Sequence, residues 1–419
     1  MKRKVFIKNT ALAALLPFIL DALSACNSNT RKQNRILVLI QLVGGNDGLN
    51  TLIPLDNYKK LTDARPNLFI PENKILGIKG TSLTGLHPSL AGIKDLYENG
   101  LLGFIQGVGY ENQNYSHFRS SDIWLTGSKS TEVLYTGWMA RYLETRFKNY
   151  PEGFPNAQHP DPPAIKIGDT GSYLFQGTKM DMSIVIDPST TFEPISVDSF
   201  DNESTGYAAA EVKSIREILQ QTERYSKVIK DALATSFQHS TLYPKSGVNS
   251  LADQLKVVAK LIKGGLGTSI YLVDLKGFDT HSAQVDSSNT TKGLHADLLA
   301  KLSQAVTCFW DDVNIMGREK DITGITFSEF GRRIVSNSAY GTDHGAAQPL
   351  MFFGTNINSG IIGTNPVIPD KVNNTDNLAM QFDFKNVFAS VLKKWMETSD
   401  DKVKEIFPEN YPDIEIFKA

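Results

Sequence analysis

The sequence predicts one α/β domain in three layers, α/β/α, around a mostly parallel central sheet. Three observations carry this. Short β-rich apolar runs recur along the chain, helix-period stretches separate them, and the densest polar clusters follow directly on the apolar runs. A run that is apolar on both faces suits a strand buried between layers. Strand–helix alternation brings such strands together in parallel, with helices on both faces.

Ile36 to Val43 (ILVLIQLV) reads as the first buried strand and Leu101 to Val108 (LLGFIQGV) as the second. Ser269 to Leu275, Ile322 to Phe327 and Leu350 to Phe353 complete the set. Helix patterns occupy Ser89 to Glu98, Ser120 to Leu125, Gly137 to Phe147, Glu211 to Ser236, Leu251 to Lys263, Gly293 to Met316 and the stretch near Phe384 to Glu397. The Pro-rich stretch Tyr150 to Pro163 and the polar run Pro188 to Tyr207 read as loops or an inserted cap around 150–207. The charged, Pro-punctuated tail after Ser399 reads as a surface wrap.

The first residues read as an export signal, not as fold. Lys2, Arg3 and Lys4 form a positive head, and Ala11 to Leu20 is an apolar run too short to span a bilayer. Residues 1–25 therefore form the expected signal peptide, 26–35 a polar tether, and 36–419 the domain. Leu23-Ser24-Ala25-Cys26 resembles a bacterial lipobox, which would place a lipid on Cys26 and anchor the chain to a membrane. Arg3-Lys4-Val5-Phe6-Ile7-Lys8 resembles a twin-arginine signal with Lys in place of the second Arg, so the Sec and Tat routes both stay open. The expected location is the periplasm or cell envelope. The other cysteine, Cys308, lies in an apolar helical stretch and reads as a small core residue. With 43 basic and 45 acidic residues, the chain has no basic footprint for nucleic acid, and 41% hydrophobic content supports a large core.

In an open α/β sheet the ligand site lies beyond the carboxyl ends of the strands. Gly44-Gly45-Asn46-Asp47-Gly48 follows the first run, and Tyr115-Ser116-His117-Phe118-Arg119 lies in the segment after the second. Gly277-Phe278-Asp279-Thr280-His281 follows the third. Ser328-Glu329-Phe330-Gly331-Arg332-Arg333 follows the fourth, with Thr342-Asp343-His344-Gly345 beyond it. Each piece alone has a plain alternative: Asp47 or Ser116 as a helix cap, Asp279-Thr280-His281 as a surface loop, Asp343-His344-Gly345 as a turn. Together they hold three of the seven histidines, His117, His281 and His344, in clusters that also carry carboxylates after the other strands. Such groups are costly to bury without partners, and a divalent cation removes that cost. The candidate metal ligands are Asp47, Asp279, His281, Glu329, Asp343 and His344. The candidate catalytic residues are Ser116, His117, Arg119 and Arg332, with Arg333 a further anion contact. Mixed oxygen and imidazole donors suit Zn or Mn better than Mg or Ca. The remaining histidines read as structural: His87 in a turn before Pro88, His159 and His239 in polar loop or helix-end sequence, and His295 on the surface at the start of a long helix.

Six ordered motifs also carry a resemblance. They are Gly-Gly-Asn-Asp-Gly-Leu-Asn-Thr (44–51), Ser-His-Phe-Arg-Ser-Ser-Asp-Ile-Trp (116–124), Thr-Gly-Trp (136–138), Phe-Asp-Thr-His (278–281), Phe-Ser-Glu-Phe-Gly-Arg-Arg (327–333) and Thr-Asp-His-Gly (342–345). They resemble the bacterial secreted family known as domain of unknown function 1501, over nearly the whole mature chain. That family is grouped with the alkaline phosphatase and sulfatase superfamily. The resemblance implies an alkaline phosphatase-like fold, metal ions at the carboxyl edge of the sheet, and hydrolysis of phosphate or sulfate esters. It implies a ligand role for Asp47 and a single site made by Asp279, His281 and His344. Ser116 stands near the nucleophile position, whereas alignment on Trp124-Leu125-Thr126-Gly127 puts His117 there. Ser328-Glu329 stands where the superfamily has Asp-His, which favours a second reading: a non-catalytic envelope lipoprotein that uses the same edge to bind a partner protein or a glycan. The expected partners are thus an anionic ester substrate or an envelope protein.

Overall fold

The computed structural model describes residues 35–188 and 222–418. The expected signal peptide, Cys26 and most of the expected tether lie outside the described residues, as do the parts of the expected 150–207 loops and 211–236 helix that fall within 189–221.

The described strands are β1 (Ile36–Val43), β2 (Leu52–Pro54), β3 (Leu76–Gly77), β4 (Thr84–Leu86), β5 (Leu102–Gly109), β6 (Ala164–Ile167), β7 (Ser183–Ile186), β8 (Ile270–Lys276), β9 (Ile322–Phe327), β10 (Gln348–Gly354), β11 (Gly360–Ile362) and β12 (Phe382–Asp383). The described helices are α1 (Gly48–Thr51), α2 (Tyr58–Ala64), α3 (Ala91–Glu98), α4 (His117–Thr126), α5 (Trp138–Arg146), α6 (222–234), α7 (Ser250–Lys263), α8 (Leu294–Met316), α9 (Phe384–Ser390) and α10 (Asp400–Ile406). The main sheet runs β11-β5-β10-β9-β1-β8-β6-β7, with β12 beside β5. All of its strands run in parallel except β10, which is antiparallel to both β5 and β9.

Alternation along β1 builds the three layers. Ile36, Val38, Ile40 and Leu42 face one core, shared with Leu255 and Val258 of α7 and Leu299 and Leu302 of α8. Leu37 and Leu39 face a second core, shared with Trp124 of α4, Trp138 of α5 and Phe388 of α9. Side chains two apart share a face, so one strand feeds both cores. Each fully buried Leu, Ile or Val contributes roughly 1.5–3 kcal/mol of transfer free energy. α7 shows how the helices dock. Leu251, Leu255, Val258, Ala259 and Ile262 recur at helical spacing and are buried, while the Asn249 side chain accepts the Ala252 amide at 3.3 Å as its N-cap.

The structure corrects the sequence reading at three places. Ala164–Ile167 and Ser183–Ile186, inside the stretch read as loops, are strands that complete one edge of the main sheet. Each has four residues, too few to show a period, and Lys166 breaks the apolar run while its amine pairs with Asp274 inside the fold. A second sheet, β2-β4-β3, was not expected. The tail after Ser399 forms α10 and buries Val403, Ile406, Phe407 and Ile416, so it is core and not wrap. Cys308 is a free, buried cysteine, as read. Among the described residues no helix is long and apolar enough to cross a membrane.

Candidate metal centre

β1, β5, β8 and β9 all point their carboxyl ends to one edge, and the β9–β10 reversal returns residues 328–347 to it. The β1 and β8 turns touch there. Gly44 has φ +121°, and a Cβ on it would stand 2.3 Å from the Asp279 amide nitrogen, so glycine alone allows the approach. The Ser328 hydroxyl accepts the Gly45 amide at 3.1 Å, and the Glu329 carboxylate accepts the Gly44 amide at 2.8 Å. Arg332 is 1% exposed. Its guanidinium donates to Gly45 O at 2.8 Å, Phe278 O at 2.9 Å, Thr342 O at 2.9 Å and Asp279 Oδ1 at 2.9 Å. One side chain thus fixes three turns and orients one carboxylate.

Around that carboxylate stand three imidazoles. His344 Nδ1 lies 2.6 Å from the Tyr115 carbonyl, which can only accept, so Nδ1 carries the proton and Nε2 a lone pair. His117 Nδ1 lies 2.9 Å from Glu329 Oε1, and His281 Nδ1 lies 3.1 Å from Asp343 Oδ1. In the neutral rings these carboxylates take the Nδ1 protons, which leaves Nε2 of both rings as acceptors. All three Nε2 atoms face Asp279: His117 at 3.3 Å from Oδ2, His281 at 3.3 Å and His344 at 3.2 Å from Oδ1. His281 Nε2 and His344 Nε2 are 2.8 Å apart. His117 Nε2 is a buried nitrogen with no hydrogen-bond partner. Ligand atoms of His117, Asp279 and His344 fall within 4.8 Å of one another.

With the three rings neutral, their Nε2 lone pairs and the Asp279 carboxylate repel one another, and positive charge among them, as a metal ion or as added protons on the rings, relieves the repulsion. Imidazoles that ligate metals hand their other ring proton to a carboxylate or carbonyl in this manner. The residues present therefore fit a divalent ion. The Glu329 hydrogen bond raises the His117 pKa, whereas burial lowers that of His344. Burial opposes ionisation of Asp279, but its bonds to Arg332 and His344 outweigh it and bring its pKa down to about 2.

Other sequence candidates stand elsewhere. Glu329 and Asp343 lie behind His117 and His281, as their hydrogen-bond partners. Asp47 does not join the cluster. It is 1% exposed, paired with Arg65 Nη1 at 2.7 Å and with Gln284 Nε2 at 2.5 Å. Arg119 is turned away: its guanidinium binds Asp122 and the carbonyls of Lys129 at 3.0 Å and Ser130 at 3.3 Å. Arg333 donates to His344 O at 3.1 Å and Asn374 O at 2.6 Å. Ser116 is exposed at the start of α4 and its hydroxyl caps nothing.

Two further residues were misjudged or missed. Arg65, one residue before Pro66 in a short helix pattern, gave no sequence signal, yet it is fully buried and holds Asp47, Ile334 O and Arg333 O. His295, expected on the surface, is 1% exposed and lies 3.0 Å from Asn46 Oδ1, because the first turn of α8 faces the β1 turn. His87 packs nearby, ring centroid 6.2 Å from that of His295. Burial pushes His87 down to about 3 and His295 down to about 4. Both must stay neutral in the fold, while in the unfolded chain they protonate near pH 6.5. The associated stability is therefore complete above pH 6.5 and lost progressively below it, towards those lower values. At pH 5 each histidine is expected to cost about 2 kcal/mol relative to pH 7. Replacing His87 with Gln should flatten the fall in urea midpoint between pH 7 and pH 5.

A groove of about 530 Å³ opens beside the cluster, with His117, Asp279 and Glu329 on its floor and Phe118, Leu125 and Tyr173 on its wall.

Fold and site together define a class: a three-layer α/β protein carrying an imidazole–carboxylate cluster at the carboxyl edge of its sheet. The family described as "protein of unknown function (DUF1501)" matches residues 198–407, and the chain belongs to that family. The matched stretch holds the 278–281, 327–333 and 342–345 motifs, and the other three precede it. No curated protein matches the chain. Among solved structures, the chain is similar to a protein in the alkaline phosphatase superfamily from Vibrio parahaemolyticus, at 10% identity and TM-score 0.37, over 80% of this chain and 63% of that one. It is similar to a phosphonate monoester hydrolase from Silicibacter pomeroyi, at 8% identity and TM-score 0.40, over 87% and 74%. It is also similar to the alkaline phosphatase of the Antarctic bacterium TAB5, at 8% identity and TM-score 0.30, over 78% and 95%.

Proposed function

We propose that this chain is an exported, metal-dependent hydrolase acting on phosphate or sulfate esters, with His117, His281, His344 and Asp279 as the metal ligands. The observation that carries the reading is the convergence of three imidazole Nε2 lone pairs on one carboxylate, each ring tied by its other nitrogen. The donor set favours Zn or Mn over Mg or Ca. A divalent metal held there supplies a Lewis acid that polarises an ester oxygen and lowers the pKa of an oxygen nucleophile. Glu329, Asp343 and the Tyr115 carbonyl fix the imidazole tautomers. Arg332 holds Asp279 in place. Ser116, exposed and next to His117 in the chain, is the chain's own candidate nucleophile. Export through the N-terminal signal, with a lipid on Cys26, puts the site in the periplasm or on the envelope.

One observation favours the non-catalytic alternative. The guanidinium groups of Arg119, Arg332 and Arg333 are all engaged by protein acceptors, which leaves the oxygens of an anionic ester without the arginine clamp expected of them. Turnover separates the two readings. The metal-loaded protein should hydrolyse at least one of 4-nitrophenyl phosphate, bis(4-nitrophenyl) phosphate and 4-nitrophenyl sulfate, and lose that activity in chelator. Metal-loaded protein inert towards all three would leave the binding role, for a partner protein or a glycan.

A further inference from the structure

One face of α4 lines the groove, with apolar Phe118 and Leu125 at its ends and polar Ser121 and Asp122 between them. Phe118, Ser121, Asp122 and Leu125 recur at helical spacing and all line the groove. The opposite face of α4 is already satisfied, since Ile123 and Trp124 are buried in the core. Phe118 is 91% exposed, although it stands beside the cluster. Tyr173 also lines the groove and is 36% exposed. Among the described residues no Lys or Arg lines the groove, and the acidic Asp122 is engaged by Arg119. A volume of about 530 Å³ falls within the usual range of small-molecule sites. An aromatic ring left in water next to convergent polar groups marks where a ligand's apolar part docks, because removing both surfaces from water drives the contact.

We propose that the groove walled by Phe118, Leu125 and Tyr173 seats the non-reacting part of the substrate, and that this part is a flat hydrocarbon group and not a sugar. This rests on the reading of the cluster as the reacting site. Orientation follows from the floor: the ester group lies over Asp279 and His117 while the hydrocarbon runs along α4. A sugar would need several hydrogen-bond partners on the wall. Among the lining side chains off the floor, Ser121 and the Tyr173 hydroxyl are the candidates beside the engaged Asp122, and the Tyr173 hydroxyl lies 3.3 Å from the Leu134 carbonyl.

The test uses the full chain in chelator and again loaded with Zn, titrated with 2-naphthol and with methyl β-glucoside. Naphthol fluorescence should report saturable binding in both states. Phe118→Ala should weaken it about fivefold or more, and Phe118→Tyr should restore it. Phe118 is exposed, so the variants fold. Equal naphthol affinity in wild type and Phe118→Ala, or binding of the glucoside in place of naphthol, overturns the proposal. Because naphthol binding is read without metal, failure of the cluster to take up Zn counts against the hydrolase reading alone.

Discussion

Replacing Asp47 with Ala is expected to lower the free energy of unfolding by about 3–5 kcal/mol, read by equilibrium urea unfolding. Asp47 and Arg65 have no exposed side-chain surface, and the alanine variant strands a buried guanidinium against a cavity. The unpaired charge dominates the loss, since the carboxylate contributes little packing area. Asp63→Ala, which removes an exposed i,i+4 pair with Lys59, should shift stability by no more than about 0.5 kcal/mol. The pair also has a pH signature. Burial alone would raise the pKa of Asp47, but Arg65, His295 and Gln284 bring the balance below its ordinary value. Its contribution is thus present above the unfolded carboxyl pKa and lost as pH falls through the lower folded one. This loss begins at the lower end of the histidine window, so His87→Gln should act on the limb between pH 7 and pH 5 and Asp47→Ala chiefly on the limb below the unfolded carboxyl pKa.

Glu329→Gln is expected to weaken divalent metal binding by about 10–100-fold while leaving the fold intact. The amide keeps the shape and can still accept at Oε1 from Gly44 and His117. It lacks the charge that makes His117 the stronger donor at Nδ1 and hence the better electron-pair donor at Nε2. Competition titration with a chromophoric chelator measures the change. A purely structural Glu329 would show lowered stability with metal affinity unchanged.

Much of this arrangement was legible in the chain. Ile36–Val43 is apolar but for Gln41, and Ile322–Phe327 is short and rich in β-branched residues, which is enough to recognise a strand buried on both faces. Asp279, His281 and His344 were legible because polar groups at strand ends converge wherever the strands are parallel. Three things were hidden. Ala164–Ile167 is too short to show a period, and its Lys166 looks like a surface residue until Asp274 pairs with it. Arg65 and His295 carry no local pattern, since their burial depends on turns more than fifteen residues away in sequence. The division of labour among the carboxylates was also unreadable. Asp47, Glu329 and Asp343 follow strands just as Asp279 does, yet Arg65 claims the first, and His117 and His281 claim the other two.

Metal stoichiometry of the purified chain decides the matter most directly. After dialysis against Zn or Mn and removal of free ion, elemental analysis should find about one equivalent per chain in the wild type and far less in His344→Ala and Asp279→Ala, with all three proteins folded by circular dichroism. Wild-type protein that retains no divalent ion, or variants that retain as much as wild type, would contradict a cation shared among His117, His281, His344 and Asp279.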